Sequence, residues 1–182
     1  MKRLSTLCLS GALCLQSTLG LAQNANEAIL NVLVTMELTP ACEFSSGSTS
    51  TAGNIQLGTM DFGAIIAQDG EVTAQLSGNS GYGIRAICAP GVSAKINLQS
   101  SRNAVPSNLG TTRAMVDGAG HSIGYNVYSD VAMSNPLQDG DVIASMVGDG
   151  TEKTVPLYGK AFMSRNEVAG EYTDILYITI EM

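Results

Sequence analysis

Residue types that commonly carry out catalysis are scarce in this sequence. His121 is the single histidine, and it lies in the loop Gly118–Gly124. The segment Gly81–Ala86 fits the GxGxxA pattern of dinucleotide-binding turns, but that turn requires a following helix, and here the pattern opens a predicted strand. The sequence contains no Walker loop and no HExxH motif. We therefore expect the protein not to be an enzyme.

The acidic residues offer one candidate metal site, a calcium site around Asp139, Asp141 and Asp149. They lack the spacing of an EF-hand loop, and Asp139 and Asp149 each precede a glycine, which is typical of turns. We expect neither a metal nor a cofactor. The formal net charge of −7 would repel phosphate backbones, so we also expect no nucleic-acid partner.

The first 22 residues have the pattern of a secretory signal peptide. Lys2 and Arg3 precede an apolar run, Leu4–Leu21, and the small residues Gly20 and Ala22 occupy the −3 and −1 positions of a cleavage site. The alternative is a membrane anchor, but the run contains several Ser, Thr and Gln residues, which suit a membrane span poorly.

Cleavage after Ala22 changes both the charge and the cysteine count. Losing Lys2 and Arg3 leaves seven basic residues against sixteen acidic ones, a net charge of about −9. Of four cysteines, only Cys42 and Cys88 remain. One cysteine pair in an exported chain predicts a disulfide, and the alternative is two free thiols.

Alternation of apolar and polar residues dominates the rest of the chain and predicts strands. Asp-Gly, Pro-Gly and Asn-Ser-Gly turns separate them. Many short strands at this spacing favour an antiparallel β-sandwich forming one domain. The predicted strands are Ala28–Leu38, Gly58–Ile66, Glu71–Leu76, Tyr82–Cys88, Ser93–Gln99, Arg113–Val116, Ile123–Tyr128, Asp141–Met146, Glu152–Phe162 and Thr173–Glu181.

The first predicted strand has an unusually long apolar face. Its odd positions are mostly polar, whereas its even positions are all apolar. On pattern alone, an ordinary first strand packing on its own core would also explain it. The even positions are Ala28, Leu30, Val32, Val34, Met36 and Leu38.

Several segments together resemble the spore coat protein U domain family and, within it, the archaic chaperone–usher pilins. The resemblance covers nearly the whole mature chain and rests on the number, order and spacing of these segments. They are Thr39–Cys42, Leu57–Gly63 (LGTMDFG, with Leu57 in place of a usual Phe), Ile84–Cys88, Tyr125–Asp130 (YNVYSD), Val155–Gly159 (VPLYG) and Gly170–Ile180 (GEYTDILYITI).

The resemblance implies an all-β fold, an incomplete immunoglobulin-like antiparallel β-sandwich that a donor strand from another subunit completes. In such pilins a periplasmic chaperone first fills the hydrophobic groove left by the missing strand. At the outer-membrane usher, the N-terminal extension of the next subunit replaces it by donor-strand exchange, a form of β-augmentation. The last predicted strand ends one residue before Met182, so we expect no further strand to close the sheet.

We accordingly expect residues 1–22 to be the signal peptide, 23–38 the donor-strand segment and 39–182 the pilin domain. The expected acceptor-groove edge consists of Tyr177, Ile178 and Ile180. The expected donor residues are Leu30, Val32, Val34, Met36 and Leu38.

The implied function is that of a structural pilus subunit, exported through the periplasm to the cell surface for attachment and biofilm formation. Its partners would be identical or related subunits, the chaperone and the usher. Two alternatives stay open. One is a secreted coat or surface protein of the same family, and the other is a self-contained periplasmic binding module.

Overall fold

The computed structural model describes residues 33–38, 41–45, 56–78, 81–105 and 109–182. The chain divides into two units, Met1–Glu37 and Leu38–Met182, and the first is described only over residues 33–37. The predicted signal peptide lies outside the described residues. All regular secondary structure in the described ranges is β-strand.

Twelve strands are described, and every strand pair is antiparallel. The predicted all-β antiparallel fold is therefore confirmed. The strands are β1 (Cys42–Ser45), β2 (Thr59–Met60), β3 (Gly70–Gly78), β4 (Gly81–Tyr82), β5 (Ile84–Cys88), β6 (Ser93–Ser101), β7 (Arg113–Val116), β8 (Ser122–Tyr128), β9 (Val142–Val147), β10 (Glu152–Val155), β11 (Tyr158–Met163) and β12 (Leu176–Glu181).

These strands form three sheets, named here by a central strand. The β5 sheet has the order β1-β5-β10, and the β6 sheet has the order β12-β6-β9. The β8 sheet has the order β2-β3-β11-β8-β7, with β4 also paired to β3. Alternate side chains from all three sheets meet in one core, which includes Ile84, Ile96, Leu98, Val127 and Leu157.

Two predicted strands are each divided in two because the chain changes sheets. Tyr82–Cys88 breaks at Gly83, whose φ of +83° favours glycine. A Cβ there would lie 2.7 Å from the carbonyl oxygen of Val155. The predicted strand Glu152–Phe162 breaks at Pro156, which has no N–H to donate to a ladder. The breaks adjoin each other, because Ile84 pairs with Val155.

The prediction of one strand over Gly58–Ile66 is wrong beyond Met60. The backbone N–H of Gly63 donates to Oδ1 of Asp61 at 2.8 Å, which forms a local turn. The chain changes direction at this turn, so the strand does not continue. The apolar residues that follow lie in loop, where Ile66 is 87% exposed. The strand was predicted to extend over these residues only because they are hydrophobic.

Candidate functional site

The strand β12 lies at one edge of the β6 sheet. It pairs with β6, and its other edge has no strand partner within the described ranges. Its sequence, LYITIE, alternates apolar with mostly polar residues, as a strand with one inward face requires. The inward side chains Leu176, Ile178 and Ile180 are half-buried and pack against the core. An incoming strand could therefore pair with β12 and cover these side chains.

The three residues predicted for the groove edge all lie in β12, but on two faces. Ile178 and Ile180 point inward, directly opposite Leu98 and Ile96 of β6. Tyr177 is 44% exposed and points the other way. Alternation along a strand accounts for this, because neighbouring side chains point to opposite faces. Their role in accepting a strand stays a prediction.

The described end of the predicted donor segment, residues 33–38, forms no strand. Its large apolar side chains are exposed, with values of 87% for Leu33, 86% for Val34, 82% for Met36 and 82% for Leu38. Leu30 and Val32 lie outside the described residues. A run of exposed apolar side chains is unfavourable in water, and such runs commonly mark binding sites.

A disulfide follows this segment closely. Cys42 and Cys88 are joined, with an S–S distance of 2.05 Å. They are also directly opposite residues of β1 and β5. The predicted disulfide is therefore confirmed, and it attaches the start of β1 covalently to the middle strand of the β5 sheet.

An open depression of about 530 Å³ lies at the far end of the β6 sheet. Ala94 of β6, Met146 of β9 and Met182 are among the residues that line it. Ala94 and Met146 are paired across the two strands. Apolar side chains are thus accessible where β12 ends.

The side chains that could take part in catalysis or metal binding are held in local turns and ion pairs. Nδ1 of His121 lies 2.7 Å from Oδ2 of Asp117, and Oδ1 of Asp117 accepts from the backbone N–H of His121 at 2.8 Å. This side-chain hydrogen bond is the main cause that lowers the pKa of Asp117. The pair closes the tight connection between β7 and β8.

The three aspartates of the candidate calcium site have separate partners. Asp139 binds Arg113, Asp141 accepts from the backbone N–H of Gln138, and Asp149 binds Lys153. Across the described ranges, no three His, Cys, Asp or Glu side chains form a group that could hold a metal ion. A search of the same residues for a helix long and apolar enough to cross a membrane found none.

Sequence reasoning missed one buried charge, Arg113 at the start of β7. Its side chain is fully buried. Its Nη1 donates to the carbonyl oxygen of Leu137 at 2.7 Å, and its Nη2 lies 2.6 Å from Oδ1 of Asp139. These contacts hold the connection from β8 to β9, which passes from the β8 sheet to the β6 sheet. An arginine between a threonine and an alanine, in a strand with no other charge, was the only signal.

Comparison with known proteins gives a family and, among solved structures, a distant likeness. A chain of the crystal structure of the CsuC–CsuE chaperone–tip adhesion subunit pre-assembly complex, from archaic chaperone-usher Csu pili of Acinetobacter baumannii, is similar with 17% identity and a TM-score of 0.42. The likeness covers 80% of this chain but only 40% of that one. No curated protein matches the sequence.

The family match is more extensive. The model of the Spore Coat Protein U domain matches residues 28–179. The match includes part of the predicted donor segment, the disulfide pair and most of β12. The chain therefore belongs to the Spore Coat Protein U domain family.

Proposed function

We propose that this protein is a structural subunit of an archaic chaperone–usher pilus, which polymerises by donor-strand exchange and serves surface attachment and biofilm formation. The observation that carries the proposal is a matched pair of features in one chain. An edge strand, β12, has inward side chains that are only partly buried, and a separate segment, residues 33–38, exposes apolar side chains and forms no strand.

The two features have complementary chemistry. The segment offers Val34, Met36 and Leu38 at alternate positions, so an extended conformation places all three on one face. Added beside β12, this face would cover Ile178 and Ile180 and satisfy the free backbone edge. Full burial of an apolar side chain of this size contributes roughly 1.5–3 kcal/mol.

The donor segment of one subunit would act on the next subunit. Successive subunits would thereby form a chain, and a free edge beside an exposed apolar face would otherwise invite aggregation. Before assembly a periplasmic chaperone would cover β12, and an outer-membrane usher would mediate the exchange. We propose that the signal peptide directs the chain to the periplasm and that the polymer lies on the cell surface.

A single added charge tests the proposal. Val34→Asp places a carboxylate on the donor face, where its burial costs several kcal/mol, and we expect it to abolish polymerisation. Thr35→Asp is the matched control, because it adds the same charge one residue further on, facing away from the groove. Polymer would be measured by size-exclusion chromatography of residues 23–182 produced in the periplasm with the chaperone.

Two results would contradict the proposal. Equal loss of polymer in both variants would show that no single face of the segment enters a groove. A mature chain that folds reversibly as a soluble monomer without a chaperone would favour a self-contained binding module.

A further inference from the structure

The start of β12 is held by a polar cluster, the Asp174 clasp, defined as Asp174, Tyr125 and Asn103. Asp174 lies two residues before β12. Its Oδ2 accepts a hydrogen bond from the Tyr125 hydroxyl at 2.7 Å. Its Oδ1 accepts from the backbone N–H groups of Asn103 at 3.1 Å and Ile175 at 2.8 Å. One carboxylate thereby connects β8, the segment after β6 and the residue before β12.

The clasp also reaches the β8 sheet through Asn103. Its Nδ2 donates to the carbonyl oxygens of Thr173 at 2.8 Å and Ala114 at 3.2 Å. Thr173 in turn exchanges backbone hydrogen bonds of 3.0 and 3.1 Å with Val116 of β7. The chain entering β12 is therefore fixed to both sheets that face each other across the core.

Tyr125 is well placed to act as a permanent donor in this cluster. It is only 3% exposed, and its ring packs edge-on to Phe62 with 6.2 Å between ring centres. Burial and the hydrogen bond to Asp174 raise the pKa of Tyr125 far above its usual range, so the hydroxyl keeps its proton. Because a buried polar group without a partner is costly, the two side chains hold each other in place.

The rest of β12 has no comparable anchor. Within the described ranges, no side-chain hydrogen bond involves residues Leu176–Glu181, and the far end of the strand adjoins the open depression. The pairing with β6 also shifts register between Tyr177 and Ile178. A slip of one residue would turn Ile178 and Ile180 away from the core. The packing of these two side chains opposes such a slip, and the Asp174 clasp adds a fixed point at the start of the strand.

We propose that Tyr125 and Asp174 are positioning residues for strand uptake, because they fix the alignment of β12 and so the face it presents to an incoming strand. The two belong to segments almost fifty residues apart in sequence, 125–130 and 170–180, both of which carry the family resemblance. The inference rests on the proposed function and assigns a role within it to residues that lie outside both β12 and the predicted donor segment.

The test compares two Tyr→Phe variants of the mature protein. Tyr125→Phe removes the hydroxyl that bonds Asp174 and keeps the ring. Tyr128→Phe, the matched control, removes another hydroxyl of β8, which accepts a 3.4 Å hydrogen bond from Asn126 and not from the Asp174 clasp. Amide hydrogen exchange would be measured strand by strand, together with the rate at which chaperone-bound protein takes up a synthetic peptide of residues 23–38.

We expect Tyr125→Phe to accelerate amide exchange in β12 by about tenfold, the effect of one lost hydrogen bond. Exchange in β3 and β11 should stay unchanged, and peptide uptake should slow by a similar factor. Tyr128→Phe should alter neither β12 exchange nor uptake. A purely structural role would instead raise exchange in every strand.

The contradicting outcomes are distinct. Equal acceleration in β3, β11 and β12 would overturn the positioning role, as would equal uptake rates for the two variants. Wild-type protein that takes up no peptide would contradict the proposed function itself, and the positioning role with it.

Discussion

The neighbouring strands β6 and β12 have similar alternating sequences but different burial. In β6 the inward residues Ile96 and Leu98 are completely buried. Their direct partners in β12, Ile180 and Ile178, are only half-buried, although they touch the same core. The difference follows from position, because among the described strands β6 has a neighbour on each side and β12 has one. The apolar inward face of β12 is therefore suited to being covered by a further strand.

The largest effect should come from the centre of the sheet. Leu98→Ala removes a completely buried side chain and leaves a cavity, so we expect the free energy of unfolding to fall by about 3 kcal/mol. Urea denaturation of the mature protein in the presence of an excess of a peptide of residues 23–38 would measure it. A loss below about 1 kcal/mol would mean that the surrounding side chains collapse into the space, and the contrast with β12 would disappear.

The matching change at the edge should depend on strand addition. Ile178→Ala should cost about 1 kcal/mol in the protein without an added strand, because its side chain is already partly exposed to water. After a peptide of residues 23–38 is added, the cost should approach that of Leu98→Ala. The rates of unfolding in urea of protein freshly released from the chaperone, measured with and without peptide, decide this because they do not require reversible folding. An unchanged cost would exclude β12 as the covered strand.

A substitution on the outer face of β12 should have a smaller effect. Tyr177→Ala alters a side chain that points away from the core, and we expect less than about 0.5 kcal/mol with or without peptide. A peptide-dependent loss for Tyr177→Ala would instead place the incoming strand on the outer face of the sheet.

The smallest effect should come from Asp117, remote in sequence from β12. Its pKa is lower when folded than its ordinary value of 3.8, so it stabilises the fold above that value and loses this contribution as the pH falls through the folded pKa. Asp117→Asn should remove that part of the acid dependence. Melting temperatures between pH 7 and pH 2 would show it, and identical profiles for both proteins would contradict it.

The sequence predicted the fold class and most strand positions, because a period of two is a direct consequence of strand geometry. Arg113–Val116 matches β7 at both ends. Changes of sheet were invisible to this pattern, since alternation continues through Gly83 and Pro156 while the pairing partner changes. The short strand β1 was missed because only its pairing with β5, four residues long, defines it.

The candidate site was predictable in part. The edge residues of β12 and the exposed Val34, Met36 and Leu38 were found from alternation and from the family resemblance. The Asp174 clasp was not, because Tyr125, Asn103 and Asp174 are far apart in sequence and their meeting depends on the crossing of the two sheets. The contacts of Arg113 could not be predicted for the same reason, because its partners Leu137 and Asp139 lie far from it in sequence, in the connection between β8 and β9.

The disulfide has a mechanical consequence for a subunit that is pulled by its N-terminal segment. Tension entering at Cys42 passes across the bond directly to Cys88 and β5. The stretch from residue 43 to 87, which contains β2, β3 and β4, lies within the covalent loop and carries no load along its backbone. A polymer of such subunits would therefore stretch without drawing out this part of the sandwich, and reduction of the bond would make each subunit extensible there.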